Sequence, residues 1–272
     1  MFLKRSYAAI LAVLLSAGIV PAAKAATLRV GSDISYAPVE FYQGHAHRVA
    51  GLDFDLAQEL AKHLGDSLSF TNHDFNGIVP ALQAGTFDIV MSAMSDTRQR
   101  EKQIDFVDYF LAGSGILVPK GNPDHIFGLG DLCGRTVDLQ KGSSQEALLK
   151  AQSAKCEDVK LGPITILSFR TDEDAFKQIV SRKSVAHISD YPVVAYLAQT
   201  FEGGKRFDVV GHQFGVVPYG IAIPKNNHVM RDAVQAALLR MIADGSYDRI
   251  LKKWHLEQGA FRSAPISAGT LF

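Results

Sequence analysis

The chain has 272 residues with 28 basic and 28 acidic side chains, so its formal net charge is zero. Hydrophobic residues make up 47% of it, which is enough for one large core or two smaller ones. No basic stripe runs along the sequence, so a typical nucleic-acid-binding surface is excluded and we expect no nucleic-acid partner. The sequence also lacks P-loop, H-E-x-x-H and G-x-S-x-G motifs, and we expect neither a cofactor nor a metal.

The N-terminus has the pattern of a secretory signal peptide. Lys4 and Arg5 precede an apolar run over residues 7–20, and an A-x-A cleavage signal ends at Ala25. The alternative, a retained membrane anchor, is disfavoured because the run is short for a span and small residues follow it. We therefore predict that residues 1–25 are removed and that the mature protein is periplasmic. Cleavage would leave 25 basic and 28 acidic residues.

The two cysteines, Cys133 and Cys156, both follow the predicted signal peptide. Because an exported protein enters an oxidising compartment, we predict a disulfide between them. The alternative is two buried free thiols, since sequence spacing does not show whether the two Cα atoms lie within bridging distance.

The first third of the mature chain alternates strands with helices. We predict strands at 28–32 and 67–73, a helix at 51–65 that ends at Gly65, a short helix at 78–85 and a strand at 88–94. This order predicts a parallel sheet with right-handed crossovers and places the chain in the α/β class.

Two similar segments, GSGILVPKGN (113–122) and PYGIAIPKNN (218–227), enclose a second α/β set. We predict that they are the two strands of a hinge. One lobe would then contain residues 26–112 and 220–272, and the second lobe residues 113–219. A single continuous domain is the alternative. Residues 258–272 are expected to form a loose tail.

A hydroxyl-rich turn follows the predicted strand at 88–94. It contains Ser92, Ser95, Thr97 and Arg100, and it would emerge at the carboxyl end of a parallel strand, where open α/β sheets bind ligands. The guanidinium of Arg100 fits a carboxylate bidentately, and Ser95 and Thr97 could add hydrogen bonds. The alternative is an ordinary helix cap with a solvated arginine.

Several motifs together resemble the periplasmic solute-binding proteins of ABC transporters, in particular the family 3 type that binds polar amino acids. The motifs are VGSDISYAPVE, GLDFDLA, FNGIVPALQAGTFD, SAMSDTRQR, IDFVDYF, QKGSSQE and HISDYPV, and the resemblance covers residues 27 to about 257. It implies a two-lobed fold of the type II periplasmic binding proteins, with a mostly parallel, helix-flanked sheet in each lobe and two hinge strands.

The resemblance also implies which residues hold the charged groups of an amino acid. Arg100 and Ser95 would bind the α-carboxylate, with Ser144 and its neighbour Ser143 opposite them at a helix start. Asp190 would accept the α-ammonium; its alternative role is a helix N-cap before a proline.

The remaining expected site residues surround the ligand side chain. Tyr36 and Phe75 would form apolar walls, and carbonyls near Ser92 or Ala93 could share the ammonium. Asp33 would favour a basic side chain, although an Asp at a strand end is also a common turn former. Val39 and Ala93 depart from the residues usual in the family, which leaves the side-chain preference open. His45 and His47 form an H-x-H pair, which we interpret as a chance surface pair rather than a metal site.

We therefore expect a monomer that binds a free amino acid between two closing lobes and delivers it to the permease of an ABC transporter in the inner membrane. It is not expected to be an enzyme. The alternative is a periplasmic enzyme on the same fold, similar to cyclohexadienyl or arogenate dehydratase, in which a buried carboxylic acid could serve as general acid.

Overall fold

The computed structural model describes residues 26–44 and 46–271. The predicted signal peptide and His45 lie outside the described residues. Within these residues, no helix combines the length and the apolar character that a membrane span requires.

The described residues form eleven strands and eight α-helices. In chain order they are β1 (Thr27–Ser32), β2 (Ser35–Tyr36), β3 (Glu40–Gln43), β4 (Arg48–Ala50), α1 (Leu52–Leu64), β5 (Ser67–Asn72), α2 (Phe75–Gln83), β6 (Ile89–Val90), α3 (Arg98–Glu101), β7 (Ile104–Pro119), β8 (Thr136–Gln140), α4 (Ser144–Asp158), β9 (Thr165–Phe169), α5 (Asp172–Val180), β10 (Ala186–Asp190), α6 (Tyr191–Thr200), β11 (Phe207–Pro224), α7 (His228–Ala243) and α8 (Ser246–Trp254).

The eight-stranded main sheet has the order β5-β1-β6-β11-β7-β10-β8-β9, and β2, β3 and β4 form a small second sheet. Strands β5, β1 and β6 are parallel, as are β10, β8 and β9, and the antiparallel pair β11 and β7 separates these two groups. We call the first group with its helices and the small sheet the first sheet half, and the second group with its helices the second sheet half. The predicted α/β class with mostly parallel strands is confirmed.

Strands β7 and β11 connect the two sheet halves. They pair along their whole lengths, from Ile104 opposite Pro224 to Pro119 opposite Phe207, and the register shifts near Phe214. The two Pro-Lys ends therefore lie at opposite ends of the pair, one in each half. The similar segments 113–122 and 218–227 begin in β7 and β11, the two strands that connect the halves, and they do not pair with each other.

Helix α1 shows why the local sequence folds as it does. Leu52, Leu56 and Leu60 lie one turn apart and are buried, while Gly65 ends the helix with a φ of 80°. A left-handed residue at this position favours glycine, so the sequence fixes where the helix stops. Two other predicted boundaries shift: α2 begins at Phe75, and β6 pairs only over Ile89–Val90.

Each sheet half has its own hydrophobic core. The larger cluster includes Leu56, Tyr109 and Leu238 and lies in the first half, and a second cluster with Val137 and Leu139 lies in the second half. In the second half, Cys133 and Cys156 form the predicted disulfide, with their Cα atoms 5.4 Å apart. It ties the short 3₁₀ turn Leu129–Leu132 to α4.

The segment after α8 is packed against the first sheet half, so our prediction of a loose tail was wrong for the residues that the structure describes. Ala264 and Ala268 are buried, and Ile266 forms a β-bridge with Val107. The backbone N–H of Gly269 donates to Asp96 Oδ2 at 2.9 Å, and that of Ala268 to Asp108 Oδ2 at 3.0 Å. These contacts satisfy one oxygen of each of two buried carboxyl groups, which the local sequence of the tail does not reveal.

Candidate functional site

The candidate site is a cavity in the cleft between the two sheet halves, with about 310 Å³ of empty space. This space is partly open to solvent, and the few polar groups that converge on it suit a single small ligand. Its lining consists of Asp33, Tyr36, Glu40, Phe75, Ser92, Ala93, Ser95, Arg100, Gln140, Ser143, Ser144, Gln145 and Asp190. The structure thus brings together ten of the residues that the sequence suggested for ligand binding, and Thr97 is not among them. Glu40, Gln140 and Gln145 were not anticipated.

The turn after β6 is held in shape by Asp53 of α1. Asp53 accepts hydrogen bonds from the backbone N–H of Ala93 at 2.9 Å and from the Tyr109 hydroxyl at 2.6 Å. Ala93 has a φ of 44°, a backbone conformation that is uncommon for a side chain with a Cβ. The first aspartate of the GLDFD motif therefore supports the turn that leads to Ser95 and Arg100.

Arg100 is a half-buried cation without an acidic partner. Its Nη1 donates to the carbonyl of Ser95 at 2.8 Å and its Nη2 to that of Gly142 at 3.2 Å, and its guanidinium lies 5.3 Å from the centre of the Phe75 ring. Burial lowers the pKa of Arg100 to about 10, although Asp190 and Asp96 act in the opposite direction. Among the residues that the structure describes, no carboxylate forms an ion pair with Arg100. A carboxylate bound in the cavity would supply the missing negative charge.

Thr97 does not reach the cavity. It is the N-cap of the short helix α3, and its hydroxyl accepts a hydrogen bond from the backbone N–H of Arg100 at 3.3 Å. Our suggestion that Thr97 hydrogen-bonds a ligand was therefore wrong, and the alternative interpretation as a helix cap applies to this residue.

Ser143 and Ser144 face Arg100 from the second sheet half. Ser143 is the N-cap of α4, with its hydroxyl 3.4 Å from the N–H of Glu146, and the Ser144 Oγ lies 3.3 Å from the Ser95 Oγ. The N-terminus of this 15-residue helix therefore points a partial positive charge at the same end of the cavity as Arg100.

Asp190 is a buried carboxyl group without a basic partner among the described residues. It occupies the N-cap position of α6, but its side chain accepts no capping hydrogen bond. Instead its carboxylate accepts from the Tyr36 hydroxyl at 2.9 Å and from Gln145 Nε2 at 2.7 Å. Burial raises the pKa of Asp190 to about 6, against the effect of these donors. In the part of the chain that the structure describes, no basic side chain forms an ion pair with Asp190.

Tyr36 does more than form the apolar wall that we predicted. Its hydroxyl reaches from the first sheet half to Asp190 in the second, and it accepts from Ser189 Oγ at 2.8 Å. Phe75 does lie at the cavity wall, under the guanidinium of Arg100.

Asp33 and Glu40 place two further carboxyl groups in the cavity lining. Asp33 is only 4% exposed, which rejects the interpretation as an exposed turn former, and it accepts from Gln140 Nε2 at 2.6 Å across the cleft. Burial raises the pKa of Asp33 and raises that of Glu40 well above its usual value, where Asp53 adds repulsion. Oε2 of Glu40 is buried and has no hydrogen-bond partner among the described residues.

The three residues that we missed lie inside motifs that the sequence already displayed. Glu40 ends SYAPVE, and Gln140 and Gln145 begin and nearly end QKGSSQE. The available signal was their position beside predicted site residues, but nothing in the spacing showed that Gln140 would reach Asp33. Within the described residues, no group of three or more His, Cys, Asp and Glu side chains is arranged to hold a metal.

Comparison with known proteins agrees with this geometry. A sequence profile of the bacterial extracellular solute-binding proteins, family 3, matches residues 28–257. The arginine-binding protein ArgT of Corynebacterium glutamicum is 32% identical over 90% of this chain and 79% of its own length. The glutamine-binding protein GlnH of a Bacillus subtilis ABC transporter is 31% identical over 78% of this chain and 75% of its own.

Solved structures give the same result. An ancestral arginine-binding protein bound to glutamine superposes with a TM-score of 0.77 and 37% identity, over 86% of this chain and all of the other. An ancestral amino acid-binding protein described as a precursor of cyclohexadienyl dehydratase gives a TM-score of 0.75 and 37% identity, over 84% of this chain and 95% of the other. The chain therefore belongs to the bacterial extracellular solute-binding proteins, family 3.

Proposed function

We propose that this protein captures one free amino acid with a polar side chain and delivers it to the permease of an ABC transporter. The observation that carries the proposal is a pair of ionisable groups on opposite sides of one cavity, the half-buried Arg100 from the first sheet half and the buried Asp190 from the second, neither of which has an ion-pair partner among the described residues. Burying either charge alone is unfavourable, and a zwitterion satisfies both at once.

The ligand side chain would lie toward Asp33 and Glu40. Both are buried carboxyl groups, so a guanidinium or ammonium in this region gains charge-assisted hydrogen bonds. Gln140, which donates to Asp33, could instead pair with a side-chain amide. Relatives named for arginine, glutamine and histidine binding are compatible with either group. We place basic side chains ahead of neutral polar ones because two carboxyl groups line this end of the cavity.

The division into lobes follows from β7 and β11. We propose one lobe from residues 26–112 and 220–272 and the other from residues 113–219, with hinge bending where the two long strands cross between the halves near Phe214. A ligand that contacts both lobes stabilises the closed form, which the permease would recognise. We further propose cleavage after Ala25 and a monomer in the periplasm; several relatives are named periplasmic proteins.

A thermal-shift screen tests the assignment, using the amino acids together with ornithine, citrulline and opines, followed by calorimetry on each positive compound. We expect saturable stabilisation by one or a few amino acids, because ligands that bind only the folded state raise its melting temperature. A shift with lysine or arginine alone supports the role of Asp33, whereas a shift with neutral amino acids alone rejects it. Absence of any shift contradicts the proposed function.

An enzyme on this fold is the second candidate. The observation that favours it is the presence of two cavity carboxyls, Asp33 and Glu40, whose raised pKa values would let either donate a proton to a leaving hydroxyl. We place it behind binding because the relatives above are named for transport and binding. Incubation with prephenate or arogenate separates the two, since a dehydratase forms product and a binding protein gives at most a thermal shift.

A further inference from the structure

The second sheet half contains a buried charge cluster behind the ammonium site. His187 of β10 is fully buried, with Nδ1 at 2.6 Å from Asp138 Oδ1 and Nε2 at 3.5 Å from Asp172 Oδ1. The first contact is a hydrogen bond, whereas the second is at ion-pair distance without good hydrogen-bond geometry. Ser184 donates to the other oxygen of Asp138. A protonated His187 thus lies between two carboxyl groups that would otherwise repel each other.

This cluster is connected to the ligand cavity by a chain of oxygen atoms. Asp172 Oδ1 lies 2.9 Å from Ser189 Oγ, Ser189 Oγ lies 2.8 Å from the Tyr36 hydroxyl, and that hydroxyl lies 2.9 Å from Asp190 Oδ2. Tyr36 belongs to the first sheet half and the other three belong to the second. The chain is therefore complete only when the two halves are in contact.

The chain of oxygen atoms from Asp172 to Asp190 has three contacts but only two hydroxyl protons. Ser189 and Tyr36 each contribute one proton, so one of the three short oxygen contacts lacks a donor unless a carboxyl group carries a further proton. At the other end of the chain, His187 Nε2 already lies 3.5 Å from Asp172 Oδ1, so a cation faces that carboxyl group. The further proton therefore belongs on Asp190, at the cavity end, where a ligand ammonium could replace it as the donor.

We propose that Asp172 is a positioning residue for the ammonium site: acting through Ser189, it orients the Tyr36 hydroxyl beside Asp190, so that binding of an amino acid releases the proton held there. The inference rests on the proposed function, because it assumes that an ammonium group binds at Asp190. The proton leaves to solvent, and the ammonium takes its place by donating to both the Tyr36 oxygen and Asp190 Oδ2, so one positive charge replaces another beside Asp190.

The charges around the chain support this assignment. Burial alone would lower the pKa of His187, but Asp172 and Asp138 outweigh it and raise that pKa to about 10. Asp190 faces Arg100 across the cavity, and the Tyr219 hydroxyl approaches it without a hydrogen bond of good geometry. None of the described groups facing Asp190 supplies a close cation.

Calorimetry with L-arginine in buffers of different ionisation enthalpy counts the protons that are released on binding. If arginine does not bind, the experiment uses the first other amino acid that does. We expect close to one proton per ligand at pH 5 and close to none at pH 8. The nitrogen that Asp172→Asn introduces can donate to Ser189, which then donates to Tyr36 and Tyr36 to Asp190, so all contacts are served without the further proton. Proton release at pH 5 should therefore be lost in Asp172→Asn and in Ser189→Ala.

The matched control is Glu173→Gln, which removes one negative charge from the same helix turn at an exposed side chain that pairs with Lys177. It should release the wild-type number of protons. If Asp172 has a merely structural role, Asp172→Asn lowers the melting temperature but leaves the number of released protons unchanged. An unchanged number of released protons in both Asp172→Asn and Ser189→Ala overturns the proposal.

A measurement without amino acid separates this inference from the proposed function. The ¹³Cζ resonance of labelled Tyr36, assigned with Tyr36→Phe, reports hydrogen bonding of its hydroxyl. We expect a step near pH 6 in the wild type and in Glu173→Gln, and its loss in Asp172→Asn and Ser189→Ala. If no amino acid binds, the proposed function fails, yet this titration still decides whether the chain carries the proton. A titration step near pH 6 that is unchanged in both Asp172→Asn and Ser189→Ala overturns the inference.

Discussion

Arg100 is half-buried and Asp190 is buried, and neither forms an ion pair with another side chain among the residues that the structure describes. A bound α-amino acid brings the complementary charges. Its ion pairs offset the desolvation free energy of the two groups, and this favours zwitterionic ligands over others. A ligand with only one of its two charged groups leaves one site unpaired. Under the proposed function, this pair selects a zwitterionic ligand, while Asp33 and Glu40 select its side chain.

Replacing Arg100 with Ala is predicted to abolish measurable amino acid binding. Removing one partner of a buried charge pair costs about 2 kcal/mol or more, which corresponds to a loss of at least about 30-fold in affinity. Titration calorimetry with the best ligand measures the effect. Arg100→Lys is the matched control: it keeps the charge but loses the planar fork, so we expect an intermediate loss of about tenfold. Wild-type affinity in Arg100→Ala would exclude the carboxylate role of this residue.

The affinity for amino acids is predicted to fall as the pH drops below about 6. The pKa of Asp190 is raised to about 6 by burial, and a bound ammonium lowers it. Above this pH the carboxylate is already ionised and the affinity is constant; below it the proton must leave first, so the dissociation constant rises up to about tenfold per pH unit. Calorimetry between pH 5 and pH 8 tests this, with Asp190→Asn expected to bind weakly and without this dependence. Stronger binding at pH 5 would contradict the assignment.

The sequence predicted the chemistry of individual residues better than their contacts. Residue types and motif positions predicted that Arg100, Ser95 and Asp190 lie in one cavity. The reason was that a carboxylate site needs a cation and an ammonium site needs an anion. The hydrogen bonds of Gln140 to Asp33 and of Tyr36 to Asp190 span more than 100 positions of the chain. They depend on how closely the halves approach, which no local pattern encodes.

Among the elements, the C-terminal segment is predicted to stabilise the first sheet half. A Cβ on Gly269 would lie 2.3 Å from the carbonyl oxygen of Asp96, which is backbone and cannot easily move. Gly269→Ala should therefore destabilise the protein by about 1 to 3 kcal/mol, measured by urea unfolding. Gly128→Ala is the matched control, because a Cβ there meets nothing within 4 Å and its φ of −170° suits any residue. Equal stability of the two variants would show that the segment does not pack as described.

The disulfide is predicted to stabilise the second sheet half through the unfolded state. The bridge closes a loop with a sequence separation of 23, for which the chain-entropy model gives about 3 kcal/mol. Replacing both Cys133 and Cys156 with Ala should lower the unfolding free energy by about this amount, with some additional loss because Cys156 is fully buried. Adding reductant to the wild type should give a similar loss, and adding it to the double variant should have no effect. An unfolding free energy that is insensitive to reductant in the wild type would contradict the prediction.

Element types followed from the sequence more reliably than element partners. Alternating strand and helix patterns predicted both parallel groups, and Gly65 marked the end of α1 correctly. The similar Pro-Lys segments suggested two hinge strands, and they lie in the two connecting strands, but their likeness did not show that each strand ends at a turn in a different sheet half. The packing of the tail was not predicted because backbone N–H groups of the tail donate to Asp96 and Asp108. Backbone donors are present in every sequence, so the side-chain composition does not indicate such contacts.

At the scale of the whole molecule, two separate cores are joined by two long strands and by polar contacts across the cleft. Those contacts include Asp33 to Gln140, Tyr36 to Asp190 and the guanidinium of Arg100 to the carbonyl of Gly142. Each is a single hydrogen bond, worth about 0.5 to 3 kcal/mol depending on charge, so together they hold the halves only loosely. A ligand that replaces them with two ion pairs gains differential affinity for the closed arrangement.

Ligand binding is therefore predicted to make the protein more compact in solution. Small-angle X-ray scattering should show a smaller radius of gyration with a saturating amino acid than without it, because a ligand held by both halves shifts the population toward closure. Arg100→Ala should retain the radius of the unliganded wild type when the same ligand is added, since it loses the contact from the first half. The control Lys253→Ala removes an exposed cation that pairs with Asp55 far from the cleft and should contract like the wild type. If the wild type binds the amino acid by calorimetry but keeps the same radius of gyration, hinge closure is not the response to binding in this protein.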